Sequence, residues 1–392
     1  MKVLKSIVTV SLILIFLSLY IMACYYIAGK GMNIFPYKND KSKIIVYWIL
    51  FWILSLSYIL GIIFRSFLSA NNLLTSISKL VGAIYLAAFF YLMILFPITD
   101  LIKFISGKIG LKGEAINYLS KIYDNGVLVF LVVFILISFG VWKTIHPTVT
   151  NYNVNINKNA GKIDSLNIVM VSDVHVGIGV KQKGIDKMIS SINSLKADIV
   201  FFCGDMVDEN TNSKSKQYLA HASKNIKSKY GVYAITGNHE YIEANLAETF
   251  SYFKCSNVKI LQDTAEKIDD SLYVIGRDDP ASISVTKHQT KSLKEILKNI
   301  DKSLPIIVLN HRPIELEEAQ EEKIDLQLSG HTHNGQFFPN NFITKLVFED
   351  AYGYLNKGNF NLIVSSGYGT WGPPIRIGTK GELVNIKVNF NK

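Results

Sequence analysis

The chain has 392 residues, 49% of them hydrophobic, and a formal net charge of +10. Its lysines are dispersed, not gathered into a stripe interleaved with aromatics, so a nucleic-acid groove is not expected, whereas a place beside an anionic membrane surface fits. Three cysteines (Cys24, Cys203, Cys255) without C-x-x-C spacing exclude a zinc ribbon and argue against a disulfide framework.

Four apolar runs come first, near Ile7 to Ile27, Ile44 to Phe64, Leu80 to Ile102 and Val127 to Trp142. Each approaches the roughly 17–25 residues that cross a bilayer core, and Tyr and Trp lie toward several ends. The basic start MKVLKS before an apolar run also fits a signal peptide, and Ile21-Met22-Ala23-Cys24 faintly resembles a lipoprotein cleavage box. Met22 fits that box poorly, and three more spans follow. No Asp, Glu, Lys or His stands in mid-span, which favours an anchor over a transport path. Residues 1–145 are thus expected to form an all-α bundle of four transmembrane helices, with the lipid bilayer as partner.

The charge bias of the loops predicts an orientation. Lys30, Lys38, Lys41 and Lys43 follow the first span, and Lys103, Lys108, Lys112 and Lys121 follow the third. Lys2, Lys5, Arg65, Lys79, Lys143, Lys158 and Lys162 belong to the other side. The balance leans to the first and third loops being cytoplasmic, which places the part of the chain after the fourth span on the outer face of the cell membrane.

Residues 146–164 read as a polar linker with a first strand in TVTNYNVNIN. From 165 to 392, strands alternate with helical segments: SLNIVMV, GIDKMISSINSL, ADIVFFC, SKQYLAHASKNI, YGVYAI and YIEANLAETFSYF. Later come the strands SLYVIG, LPIIVL and LQLS, then a more purely β tail ending in ELVNIKV. The alternation predicts an α/β domain.

Five strands end in Asp, Asn or His: Asp173-Val174-His175, Gly204-Asp205 with Asp208, Gly237-Asn238-His239-Glu240, Asn310-His311-Arg312 and Gly330-His331-Thr332-His333. Carboxyl ends of strands are where α/β sites assemble. Carboxylate, imidazole and amide oxygen suit divalent Mn, Fe or Zn. One carboxylate can bridge two metals, and two metals can clamp the attacking and leaving oxygens of a displacement at phosphorus. Glycines 204, 237 and 330 are expected to let the backbone turn beside the ligands. Alone, each motif has a plainer reading: a capping Asp, a turn, a satisfied core histidine. Five in order, each behind a strand, do not.

The set SDVHVG, GDMVD, GNHE, NHRP and GHTHNGQ resembles the pattern of calcineurin-like metallophosphoesterases, over about Ser165 to the C-terminus. GHTHNGQ with GYGTWGPPIRIG resembles their membrane-anchored, envelope-associated bacterial branch, although Asn334 stands where that branch often has glycine. The resemblance implies a four-layer αββα sandwich. It implies two divalent metal ions, manganese first and iron or zinc as alternatives. Asp173, His175, Asp205 and His333 would hold one; Asp205, Asn238, His311 and His331 would hold the other, with Asp205 shared. His239 would serve the leaving group, and a metal-bridging hydroxide would attack a phosphate mono- or diester.

Asp208 and Glu240 are candidates to orient histidines, and Arg277, Arg312 and Gln336 candidates to contact substrate. Tyr368, Trp371 and Pro373 read as core packing or as an apolar rim. Expected substrates are phosphorylated small molecules or lipid-linked phosphates of the cell envelope; the sequence points to no protein partner. The rival reading is a membrane-bound sensor or scaffold with an inactive phosphoesterase domain, but no ligand position has decayed.

Overall fold

The computed structural model describes residues 2–35, 40–68, 72–109, 126–208, 211–242, 246–287 and 289–391. Of the lysines used for orientation, Lys38, Lys112 and Lys121 lie outside these. The chain divides into two compact units, Met1–Phe139 and Gly140–Lys392.

The first unit is built on α1 (Lys2–Met32), α2 (Lys41–Phe67) and α3 (Leu73–Ile109); α4 (Val127–Thr144) runs on into the second unit. All four are long and apolar enough to cross a membrane. Their best apolar windows are only 6 to 39% buried, so most of that surface faces outward, as it would toward lipid. Close approach is local: a Cβ on Gly82 would strike the backbone of Tyr58, so α3 meets α2 there without an intervening side chain. Asp100 near the end of α3 takes Lys30 of α1 as an ion-pair partner. The third apolar run thus belongs to a helix of 37 residues, continued through Pro97.

Among its described residues, the second unit holds twelve strands. β1 (Thr148–Ile156), β2 (Ser165–Val171), β3 (Ile199–Cys203), β4 (Val232–Ile235), β5 (Val258–Ile260) and β12 (Glu382–Phe390) form sheet I, in the order β1-β12-β2-β3-β4-β5. β6 (Thr264–Ile268), β7 (Leu272–Gly276), β8 (Ile306–Leu309), β9 (Leu326–Ser329), β10 (Gly353–Lys357) and β11 (Phe360–Val364) form sheet II, in the order β10-β11-β9-β8-β7-β6. The strand in the expected linker is the edge of sheet I, parallel to β12.

The period of two along each strand sorts its side chains into layers. In β2, Leu166, Ile168 and Met170 face a core shared with Leu272, Val274, Ile307, Leu309, Leu326 and Leu328 of sheet II. Val169 and Val171 face the other way, onto Ile185, Met188 and Ile192 of α5 (Gln182–Ser194) and Leu219 of α6 (Ser213–Ser223). Helices α7 (Asn238–Ile242), α8 (Leu246–Lys254) and α9 (Ser282–Thr286) precede α10 (Leu293–Ile296) and α11 (Leu316–Glu321); Leu293, Leu316 and Ala319 of the last two, with Leu297, cover the outer face of sheet II. Helix, sheet, sheet, helix is the αββα sandwich expected. Strands buried on both faces read as continuous apolar runs, which is why SLNIVMV and ADIVFFC stand out in sequence. β2, β3 and β4 are parallel, as are β8 and β9, so the five polar loops leave the ends of parallel strands.

Candidate metal centre

The five loops bring their Asp, Asn and His residues together. Asp173, His175 and His333 form one group of donor atoms within 4.8 Å of one another; Asp205, His311 and His331 form a second. His175, Asp205 and His239 form a third, which joins the first two. Asp173, His175, Asp205, His311 and His333 are all at least nine-tenths buried.

Backbone geometry explains how so many donors converge. Asp173, His175, Asp205, His331 and His333 all have φ between 44° and 71°, a left-handed conformation costly for non-glycine residues, of order 1–3 kcal/mol each. Such residues persist where the surroundings over-determine them. Here Asp173 N–H donates to Gly204 O, His175 N–H to Asp205 O, and His331 N–H to both oxygens of Asp173. Of the three glycines expected to supply turns, only Gly204 does (φ 85°). Gly237 and Gly330 are needed for another reason: a Cβ on either would collide with the carboxylate of Asp205 or Asp173.

The charges act on one another strongly. His311 Nδ1–H donates to Cys203 O at 2.8 Å, which turns Nε2 to Asp205 Oδ2 at 3.1 Å. Burial pushes the His311 pKa down, but the carboxylates of Asp205, Asp173 and Asp279, Asp205 foremost, together outweigh it and carry it up to about 10. Burial works upward on Asp205; His311 reverses this and holds it well below the carboxylate range. Asp173, fully buried, is pushed up to about 6. Burial, aided by the charge of His311, takes His331 down to about 3.

The donor set fits a divalent cation. The Nε2 atoms of His175 and His333 point at each other across 3.1 Å, an arrangement natural for two neutral imidazoles sharing a cation. Asn238 Oδ1 is buried without a hydrogen-bond partner among the described residues, and a buried amide oxygen of this kind is satisfied by a cation.

The remaining expected residues fall as follows. The His239 ring lies 4.9 Å from that of His175, and its backbone N–H donates to Asp205 Oδ1 at 2.8 Å. Asp208 Oδ2 stands 3.7 Å from His175 Nδ1, the place of an orienting carboxylate. Glu240 touches no histidine ring through a described hydrogen bond; its carboxylate gathers the N–H groups of Asp205, Met206, Val207 and Gly237. It sets the loop that carries Asp205, and burial raises its pKa to about 7. Arg277 is held by Glu315 and Glu318, at 3.0 and 3.3 Å. Arg312 forks onto Asp279, both bonds 2.8 Å. Gln336 ties Trp371 and Pro373 through main-chain hydrogen bonds.

One residue at the site falls outside those expected from the sequence. Arg376 is fully buried, donates to the carbonyls of Ser366, Gly367 and Gly369, and lies 3.5 Å from His333 Nδ1. Burial lowers its pKa to about 10. It fastens the loop whose Tyr368 and Gly369 N–H groups donate to Ser172 and Asp173 carbonyls. The only hint was an arginine inside an otherwise glycine- and proline-rich stretch.

This geometry agrees with what comparison with known proteins finds. The family model of the calcineurin-like phosphoesterases matches residues 166–335. An uncharacterized metallophosphoesterase of Campylobacter jejuni is 28% identical over 371 residues, 92% of this chain and 96% of that protein. One of Aquifex aeolicus is 31% identical over 249 residues, 63% of this chain and 93% of that protein. A bovine transmembrane protein with metallophosphoesterase domain is 29% identical over 253 residues, and the match spans 56% of its length. The chain belongs to the calcineurin-like metallophosphoesterase family. With its four apolar helices, it is a membrane protein of that family.

Proposed function

We propose that this chain is a membrane-bound hydrolase that cleaves a phosphate mono- or diester with the help of two divalent metal ions, manganese first among them. The observation that carries the reading is that the Asp173–His175–His333 and Asp205–His311–His331 groups are joined through the contact of His175 with Asp205. Asp173, His175, Asp205 and His333 would hold one ion, and Asp205, Asn238, His311 and His331 the other. When bound, such ions neutralise phosphate oxygens and lower the pKa of water toward neutrality.

The chain's own residues supply the rest. His239 stands at the edge of the cluster with its backbone fixed by Asp205, where it can give a proton to the leaving-group oxygen. Asp208 keeps the His175 ring in place. Glu240 holds the Asp205 loop through four N–H groups. Arg312 keeps 29% of its side chain exposed beside His311; it can present that edge to a substrate phosphate while Asp279 fixes its fork. The buried, left-handed loops leave the donors little freedom to relax, which is the preorganisation such chemistry needs.

A lipid-linked or nucleotide-linked phosphate of the cell envelope is the proposed substrate class, and the outer face the proposed side. The full chain, purified in detergent and supplied with manganese, should be screened against nitrophenyl phosphate mono- and diesters, nucleotide sugars and polyprenyl phosphates. Metal-dependent turnover of at least one is expected; none with any ester would leave the scaffold reading standing. A reporter fused after Lys392 tests the side: alkaline phosphatase activity supports the outer face, and fluorescence from a cytoplasm-only reporter contradicts it.

A further inference from the structure

The helix that follows the last histidine pair, α12 (Asn340–Val347), buries none of its residues. Phe342, Ile343, Leu346 and Val347 are 56, 58, 87 and 68% exposed. At helical spacing these four share one face, with Asn341, Thr344 and Lys345 on the other. A surface helix normally turns its apolar stripe inward; this one presents it to the outside.

The stripe continues beyond the helix. Phe338, half exposed, sets its ring edge-on to that of Phe342 at 5.7 Å. Trp371, 52% exposed, stands 5.7 Å from the His239 ring. Phe348 turns its ring edge to His331 at 6.0 Å. The apolar band therefore borders the mouth of the metal centre.

It also lies beside the end of an apolar helix. Within the unit 140–392, the N–H of Arg376 donates to the carbonyl of Gly140 in α4 at 3.0 Å. The next residue, Ile377, accepts the N–H of Phe338 at 2.8 Å. Only residues 145–147 separate α4 from β1, a tether no longer than about 14 Å.

We propose that α12, with Phe338 and Trp371, is a membrane-docking face. It lies in the boundary between lipid headgroups and acyl chains of the bilayer that the chain's own apolar helices cross. An outward apolar helical stripe with a lysine on its opposite face is the pattern of an interfacial helix, and Trp and Phe are suited to that depth. The backbone link from Phe338 through Ile377 and Arg376 to Gly140 ties the face to the end of α4. For its functional consequence the inference rests on the phosphoesterase reading: a centre whose mouth is held at the headgroup plane takes phosphoesters carried on a lipid.

The test uses the full chain in vesicles of phosphatidylcholine and phosphatidylglycerol in equal amounts. Cys24 and Cys203 are buried, so with Cys255→Ser a nitroxide can be placed on Leu346→Cys or, as a control, on Lys224→Cys. Position 346 is so exposed that folding does not depend on it. The 346 label is expected to be relaxed by oxygen, shielded from a water-soluble nickel chelate, and to sit about 5–10 Å below the phosphates. The 224 label should show the reverse. A 346 label as open to nickel as the control overturns the proposal. So does one shielded from both agents, which would place a second copy or another protein on the face. Hydrolysis of bis-nitrophenyl phosphate by the same vesicles reports separately on the phosphoesterase reading, so either can fail without the other.

Discussion

At the metal centre, five charged or titratable residues are at least nine-tenths buried; at its rim, four apolar residues of α12 are more than half exposed. The two regions invert the usual distribution in opposite senses. Buried charge is tolerable only when it is paired, and each buried donor here faces another ligand residue, a backbone N–H or a supporting carboxylate. Exposed apolar surface forgoes roughly 1.5–3 kcal/mol for each large side chain left out of a core. Neither inversion serves the stability of the unit on its own. The centre is organised for a cation, and the rim for an apolar surface.

Breaking the centre should have the largest effects. Asp205→Ala removes the carboxylate common to two donor groups, so metal content and turnover should both fall to background, read by elemental analysis and ester hydrolysis. His239→Ala sharpens the division between ligand and acid. It should keep its metal yet lose roughly 10²–10⁴ in rate on esters with poor leaving groups, and less on nitrophenyl esters, whose leaving group needs no proton. Loss of metal instead would make His239 a ligand, as its proximity to His175 and Asp205 allows.

Glu240→Leu leaves four backbone N–H groups without their acceptor. Unfolding in denaturant should show a loss of at least about 1–3 kcal/mol, the cost of a single buried unsatisfied group, with weaker metal retention. An unchanged midpoint would show that Glu240 does not set the Asp205 loop. The rim should respond least. Leu346→Asp should change thermal stability by no more than about 0.5 kcal/mol, because the side chain is 87% exposed in the folded protein. A large loss would mean that the stripe is covered by protein.

The contrast also separates what the sequence carries from what it hides. Donor residues behind strands are legible, because a strand buried on both faces is an unbroken apolar run and the polar residues mark its end. The four apolar helices are legible for the same reason, as length and hydropathy are local properties. The left-handed backbone at Asp173, His175, Asp205, His331 and His333 is not, since it is imposed by neighbours distant in the chain. Arg376 is hidden because 43 residues separate it from the His333 ring it approaches. The sequence makes Glu240 a candidate to orient a histidine; only the fold turns it to the Asp205 loop. The short β5 and β6 and the helix α12 lack the length or the buried face that makes a pattern readable.

The central claim is that two donor groups, joined through His175 and Asp205, hold divalent metal for phosphoester cleavage. The most direct measurement is elemental analysis of the full-length protein alongside its hydrolysis of bis-nitrophenyl phosphate, before chelation, after it, and after manganese is restored. The account predicts two metal equivalents per chain, turnover abolished by chelation and recovered with manganese. Undiminished turnover in the chelated, metal-free protein would contradict it.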